Sequence, residues 1–186
     1  NNKKIVDCLI VNSKDYGIPQ NRERVFVVSI KGGGIDEYVF PPTMTLTKCV
    51  NDLLEDEVPE NMYMGHTLVR TDNPNVGLRS DGLNMLGMLD MRGNESIRRV
   101  YDPGGICPTL TTMTGGHRQP KFLVNGRVRK TTPRECWRLM GFSDEQFDKV
   151  SPYLSNSQLY KQAGNSIVVN VLEEIFRSLF KDRIEV

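Results

Sequence analysis

The chain has 186 residues, enough for one domain or one and a half. At 38% hydrophobic and 25% charged it can build a core and keep a solvated surface, and a net charge of +1 excludes a polycation. No run approaches the roughly 18 apolar residues of a membrane span, and the start Asn1-Asn2-Lys3-Lys4 opens no signal peptide and carries no initiator Met, which reads as a cut piece or processed product of something longer.

In chain order, Ile5–Val11 is apolar and β-branched, the pattern of a buried strand. A loop with Gly17 and Pro19 as breakers leads to a second strand over Arg24–Ile30, ended by Gly32-Gly33-Gly34. Two strands joined by so short a loop are expected neighbours in one sheet. Thr45–Leu54 predicts a short helix. From about Val58 to Asn125 the periodicity is poor and Gly, Asn, Asp and Pro are frequent, which predicts short strands and loops. Thr132-Pro133-Arg134-Glu135 is a capping box with Pro at the first helical position, opening a helix that runs to Met140 and stops at Gly141. Ser143–Gln146 and Ser155–Gln158 repeat the start signal. Apolar residues at helical spacing predict a last helix over Ser166–Phe180, with Gly164-Asn165 as a helix boundary.

The four cysteines, Cys8, Cys49, Cys107 and Cys136, are widely spaced and suit free thiols in a reducing compartment, hence a cytoplasmic chain. With His66 and His117 each alone, no metal site is expected. Between Arg79 and Arg134 stand ten Lys or Arg against four acids, +6 for that segment and −5 for the rest. Such a basic middle suits a nucleic-acid face, and equally a solvated surface.

The most informative string is Asp15-Tyr16-Gly17-Ile18-Pro19-Gln20-Asn21-Arg22-Glu23-Arg24-Val25. In an extended segment Gln20, Arg22 and Arg24 point to one side and offer planar donors suited to a phosphate or a base carbonyl. An ordinary solvated edge strand would look the same. The string is similar to the QxRxR motif of cytosine-5 DNA methyltransferases. Residues Arg129–Phe142 (RKTTPRECWRLMGF) resemble that family's RxLTPRECxRLQGF block, and Gln162–Val168 (QAGNSIV) its QAGNSV block, in family order. Thr131 and Met140 depart from the commoner Leu and Gln.

The resemblance implies an α/β fold: the C-terminal part of a Rossmann-like S-adenosylmethionine-dependent methyltransferase domain carrying an inserted small, mostly β and irregular target recognition domain. It implies last catalytic strands over 1–57, the recognition domain over 58–125, and a helical return to the catalytic domain over 126–186. The implied reaction is methyl transfer from S-adenosylmethionine to C5 of a flipped-out cytosine in double-stranded DNA, as in restriction–modification. Arg24 would approach the cytosine O2, with Arg22 and Gln20 ordering the adjacent loop and DNA. Asn165 and Ser166 would lie at the cofactor. Pro108-Thr109-Leu110 resembles the Thr-Leu dipeptide of family recognition domains, which makes Arg98, Arg99, Thr109, Leu110, Thr111, Thr112, His117 and Arg118 the candidate DNA contacts. For Thr132, Glu135, Arg138 and Leu139 a structural role is favoured. No Gly-rich cofactor loop, Pro-Cys nucleophile loop or Glu-Asn-Val block is present in the chain. The expected partners are therefore DNA and the missing N-terminal catalytic portion, with self-association of uncovered apolar faces and no membrane.

Overall fold

The computed structural model describes residues 4–31, 38–69 and 76–181; the triple glycine expected to end the second strand lies outside them. Strand β1 (Lys4–Asn12) pairs antiparallel with β3 (Glu23–Lys31) along its full length, from Lys4↔Lys31 to Asn12↔Glu23. The link between them is tight because the Asn12 side chain caps a 3-10 turn at Ser13–Tyr16, accepting from the Lys14 amide, and Gly17 closes the turn at φ 81°. Phe26, Val28 and Ile30 pack on the core, while Ile10, Val25 and Val27 on the opposite face are 66%, 61% and 59% exposed. This two-stranded sheet therefore has one covered apolar face and one bare one.

The helix expected over 45–54 is reduced to a 3-10 turn at Val50–Leu53. Its amides find partners elsewhere: Val50 N–H donates to the Gly105 carbonyl (3.0 Å) and Asn51 N–H to Pro103 (2.8 Å). The irregular middle folds into a six-stranded sheet. Its strands are β4 (Leu68–Val69), β5 (Gly77–Leu78), β6 (Asn84–Leu89), β7 (Arg99–Tyr101), β9 (Lys121–Val124) and β10 (Arg127–Lys130), in the order β10-β9-β7-β6-β4 with β5 also on β6. The β9–β10 hairpin turns on Asn125-Gly126, both left-handed (φ 48° and 77°), as a two-residue primed turn requires. It carries the sheet to Lys130, past the boundary expected at Asn125.

A one-turn helix α1 (Glu95–Arg98) precedes β7. The helices after it, α2 (Pro133–Arg138), α3 (Asp144–Val150) and α4 (Asn156–Asn165), each open on the expected capping box. Helix α4 runs through Gly164 instead of stopping there. The last helix, α5 (Val169–Leu179), starts three residues later than its apolar periodicity suggests. Its first amide, Val169 N–H, bonds the Met140 carbonyl (2.9 Å), which pins the start to the end of α2.

The three sequence regions share one core. Tyr16 and Ile18, Met85 and Tyr101, and Trp137, Leu159 and Val171 belong to a single buried cluster; a second, small one joins Leu89, Val100 and Val128 under the sheet.

Candidate functional site

Three family-like motifs and the Thr-Leu segment converge at one junction. Gln20-Asn21 forms strand β2, which pairs in parallel with β8 (Cys107–Pro108), Gln20 opposite Cys107. Gln20 is fully buried. Its Nε2 donates to the Leu139 carbonyl (2.7 Å) and its Oε1 accepts from the Leu110 amide (3.1 Å). Arg22 is 5% exposed, and its guanidinium donates to the carbonyls of Leu110 (2.9 Å), Gly164 (3.0 Å) and Ser166 (3.0 Å). A methyl group added at Gly164 would stand 2.0 Å from the Thr111 carbonyl oxygen, so only a residue without a side chain lets α4 meet this segment. Gln20 and Arg22 both act on protein main chain, and buried Gln20 is an internal brace.

Arg24 differs from its two companions. It is exposed, bonds only the Glu23 carbonyl (2.6 Å) among the described residues, and stands at a groove with Val25, Val27, Asn165, Ser166 and Ile167. The expected alternation thus resolves into two inward donors and one outward donor.

On the other side of the junction lies a cleft between the sheet and the segment after β8. It gathers Arg99, Thr109, Thr111, Thr112 and Arg118 from the expected DNA contacts, along with Gln119, a further polar residue of the same segment suited to a base or phosphate. Arg99 is oriented by Glu95, which accepts from Nε (3.1 Å) and from a terminal nitrogen (2.8 Å). Thr109 Oγ1 donates to the Asn21 carbonyl (2.5 Å). Three candidates behave otherwise. Leu110 is 1% exposed and packs in the core, its amide and carbonyl held by Gln20 and Arg22. Arg98 does not line the cleft; its Nε donates to the Leu89 carbonyl (3.0 Å). His117 is exposed beside the cleft without lining it.

Half of the ten cations of the basic segment are paired within the fold, Arg99 with Glu95 among them. Arg129 pairs with buried Glu135 (2.7 Å), Arg127 with Glu60, Arg79 with Asp81, and Arg134 with Glu55 and Asp148. Arg92, Arg98, Arg118, Lys121 and Lys130 are left without an ion pair among the described residues. Glu135 also accepts from the amides of Thr132 (2.8 Å) and Glu55 (2.8 Å), and Arg138 ties α2 to Asp144 and the Leu53 carbonyl. These contacts are architectural. The thiols of Cys107 and Cys136 are fully buried; burial holds the first well above its ordinary value and pushes the second up to about 12, so neither supplies a thiolate at neutral pH.

Burial, then the Lys130 charge, lowers the Lys121 ammonium to about 8. Between that value and its ordinary 10.5 the unfolded chain binds the extra proton, so this group makes stability rise with pH across the interval. Buried Cys136 works in the opposite sense. The difference in urea midpoint between the parent and Lys121→Met is therefore the measurement. It is expected to shift in the parent's favour from pH 8 to pH 10, and a flat difference would contradict the assignment.

A family model described as C-5 cytosine-specific DNA methylase matches residues 5–181. Type II methyltransferase M2.ScrFI of Lactococcus lactis subsp. cremoris is 40% identical over 182 residues, covering 94% of this chain and 45% of that protein. Type II methyltransferase M.HhaI of Haemophilus parahaemolyticus is 39% identical over 171 residues, covering 89% and 50%. Orphan methyltransferase M.SPBetaI of Bacillus phage SPbeta is 32% identical over 257 residues, covering 94% and 58%. The chain thus spans about half the length of the curated relatives it matches. Among solved structures, the Entamoeba histolytica methyltransferase EhMeth superposes with a TM-score of 0.67 at 16% identity, covering 98% of this chain and 55% of that one. The S. pombe Dnmt2 methyltransferase does so with 0.66 at 18%, covering 98% and 57%. At such identity these two are a likeness of α/β methyltransferase fold alone.

Proposed function

From a chain that belongs to the C-5 cytosine-specific DNA methylase family, we propose the DNA-reading and cofactor-adjoining part of an enzyme that methylates cytosine C5 in a specific sequence of double-stranded DNA. The observation that carries this reading is the junction. Arg22 and Gln20 bind main chain of the cleft segment and of the Gly164–Ser166 turn together, and Arg24 is left with an outward guanidinium beside Asn165.

Carbon C5 is reached from the face of the ring, which stacking covers in the duplex, so the base must leave the helix. Arg24 then donates to the cytosine O2 as negative charge develops on the ring, where a fixed donor is most effective. The cleft around Arg99, Thr109, Thr111, Thr112 and Arg118 takes phosphate and base edges, and the bonded Arg99 guanidinium presents its remaining N–H groups.

The groove fits one side of S-adenosylmethionine, which would supply the electrophilic methyl group. Val25, Val27 and Ile167 offer apolar surface, and Asn165 offers an exposed amide at the end of α4. Asn165 and Ser166 would hold the cofactor there. No carboxylate lines this groove to receive ribose hydroxyls or face the sulfonium charge. Those groups and the thiolate nucleophile belong to the other half of the family fold, which would cover the bare face of β1 and β3. Until that face is covered, self-association of the isolated chain is expected. Among the described residues no helix is long and apolar enough to cross a membrane.

The test is complementation. Mixed with the N-terminal half of the enzyme, the chain is expected to restore transfer of a labelled methyl group to DNA. In that assembly Arg24→Ala is expected to lower kcat by roughly 10²-fold while DNA affinity stays close to the parent's. An unchanged kcat would remove Arg24 from the chemistry.

A further inference from the structure

The cleft depends on the conformation of the loop 114–119, and that loop has little else to hold it. Residues 114–118 are exposed. Four residues at and just before it sit in left-handed backbone: Met113 (φ 49°), Gly115 (73°), Gly116 (62°) and His117 (57°). For the two that are not glycine this conformation is strained, because Cβ crowds the carbonyl oxygen. Yet among the described residues none of 114–119 takes part in a strand ladder or in a main-chain bond to another segment. The Met113 amide itself is held by the Thr111 hydroxyl (3.3 Å), and on the far side the Pro120 carbonyl accepts from the Thr131 amide (3.0 Å). Among the described residues, the side-chain bonds that reach the main chain of 114–119 all come from one group. Lys121 Nζ donates to the carbonyls of His117 (2.6 Å) and Gln119 (3.1 Å).

Lys121 is an unexpected residue to find there. It is 1% exposed at the first position of β9, forms no ion pair among the described residues, and its register partner on β10 is another lysine, Lys130. A buried ammonium without an acid is unfavourable unless carbonyls replace its water. The two loop carbonyls do so, and the loop in turn gains a charge-assisted tie. The elements are mutually dependent: the ammonium stays inside because the loop folds over it, and the loop keeps its shape because the ammonium stays inside.

We propose that Lys121 is a positioning residue for DNA recognition, clamping the carbonyls of His117 and Gln119 so that Arg118 and Gln119 face the cleft in a fixed geometry. The proposal rests on the reading of that cleft as a DNA site. Lys121 itself touches no DNA; it acts through the loop.

Two variants separate a clamp from mere core filling. Lys121→Met keeps the apolar stem and the burial but loses the donors, and Lys121→Arg keeps the charge and the donors. A charged hydrogen-bond donor contributes about 1.5–3 kcal/mol, so Lys121→Met is expected to raise the rate of tryptic cleavage after Arg118 by about tenfold or more. In the assembled methyltransferase, affinity for a duplex selected by the parent from a randomised pool should fall by a similar factor, with the thermal midpoint unchanged or raised. Lys121→Arg should restore both quantities most of the way. If Lys121→Met cleaves at the parental rate, the clamp is wrong. If the loop opens but duplex selection is untouched, the clamp has no part in recognition. If the parent selects no duplex at all, the DNA reading fails first, and this use of the loop falls with it.

Discussion

Replacing Glu135 by alanine is expected to cost about 3–5 kcal/mol of stability, the usual consequence of stripping one partner from a buried ion pair. The carboxylate is fully buried and takes part in four bonds: two from Arg129 (2.7 and 3.0 Å), one from the Thr132 amide (2.8 Å) and one from the Glu55 amide (2.8 Å). Alanine would leave the Arg129 guanidinium, itself 2% exposed, without its counter-charge. It would also undo the cap of α2, on which Leu139 and Met140 are mounted. Since a domain of this kind holds about 5–15 kcal/mol in all, a large share of its stability is at stake. Urea unfolding followed by tryptophan fluorescence reads this directly through Trp137, the single tryptophan. The paired replacement Glu135→Leu with Arg129→Met should recover most of the loss, because an apolar pair of similar volume carries no uncompensated charge. A loss under about 1 kcal/mol for Glu135→Ala would mean that Arg129 finds water or another acceptor.

Gly164→Ala is expected to be nearly as damaging, about 3 kcal/mol, against the direction that helix propensity predicts. Inside an ordinary helix alanine outdoes glycine by about 1 kcal/mol. Here the new Cβ would meet the Thr111 oxygen at 2.0 Å, its carbonyl carbon at 2.3 Å and the Thr112 nitrogen at 2.6 Å. All three atoms are main chain, so no rotamer change relieves the overlap. Either α4 backs away or the segment 110–112 does, and both movements pull on the carbonyls that Arg22 holds. Duplex selectivity of the assembled enzyme should therefore fall along with the melting temperature. A variant as stable as the parent would show that α4 and this segment are not in contact.

Local signals in the sequence were realised wherever local bonds decide the outcome. Thr132 with Glu135, Ser143 with Gln146, and Ser155 with Gln158 form reciprocal caps across three residues, and each is present. The two long strands followed from their apolar runs. What failed was set by distant partners. The segment 45–54 has helical apolar spacing, yet its amides go to Pro103 and Gly105, more than fifty residues away. The start of α5 is fixed by the Met140 carbonyl instead of by its own periodicity. At the site, the alternation of Gln20, Arg22 and Arg24 gave the right family but could not tell an inward donor from an outward one. Counting charges between Arg79 and Arg134 met the same obstacle, because Arg129 and Lys121 are interior cations.

The brace between Gln20, Arg22 and Leu110 grips the peptide units of its target and ignores the side chain. Any residue except proline at position 110 would still offer the amide that Gln20 accepts from, and any residue at all the carbonyl that Arg22 donates to. These main-chain bonds are thus indifferent to the letters of the segment, although the Leu110 side chain and the Thr109 hydroxyl add holds of their own. If the cleft reads DNA as proposed, an exchange at Thr112 could alter which bases it prefers, while the attachment of that segment to the turn at Gly164–Ser166 stayed intact. Such a mounting lets recognition drift without the joint coming loose.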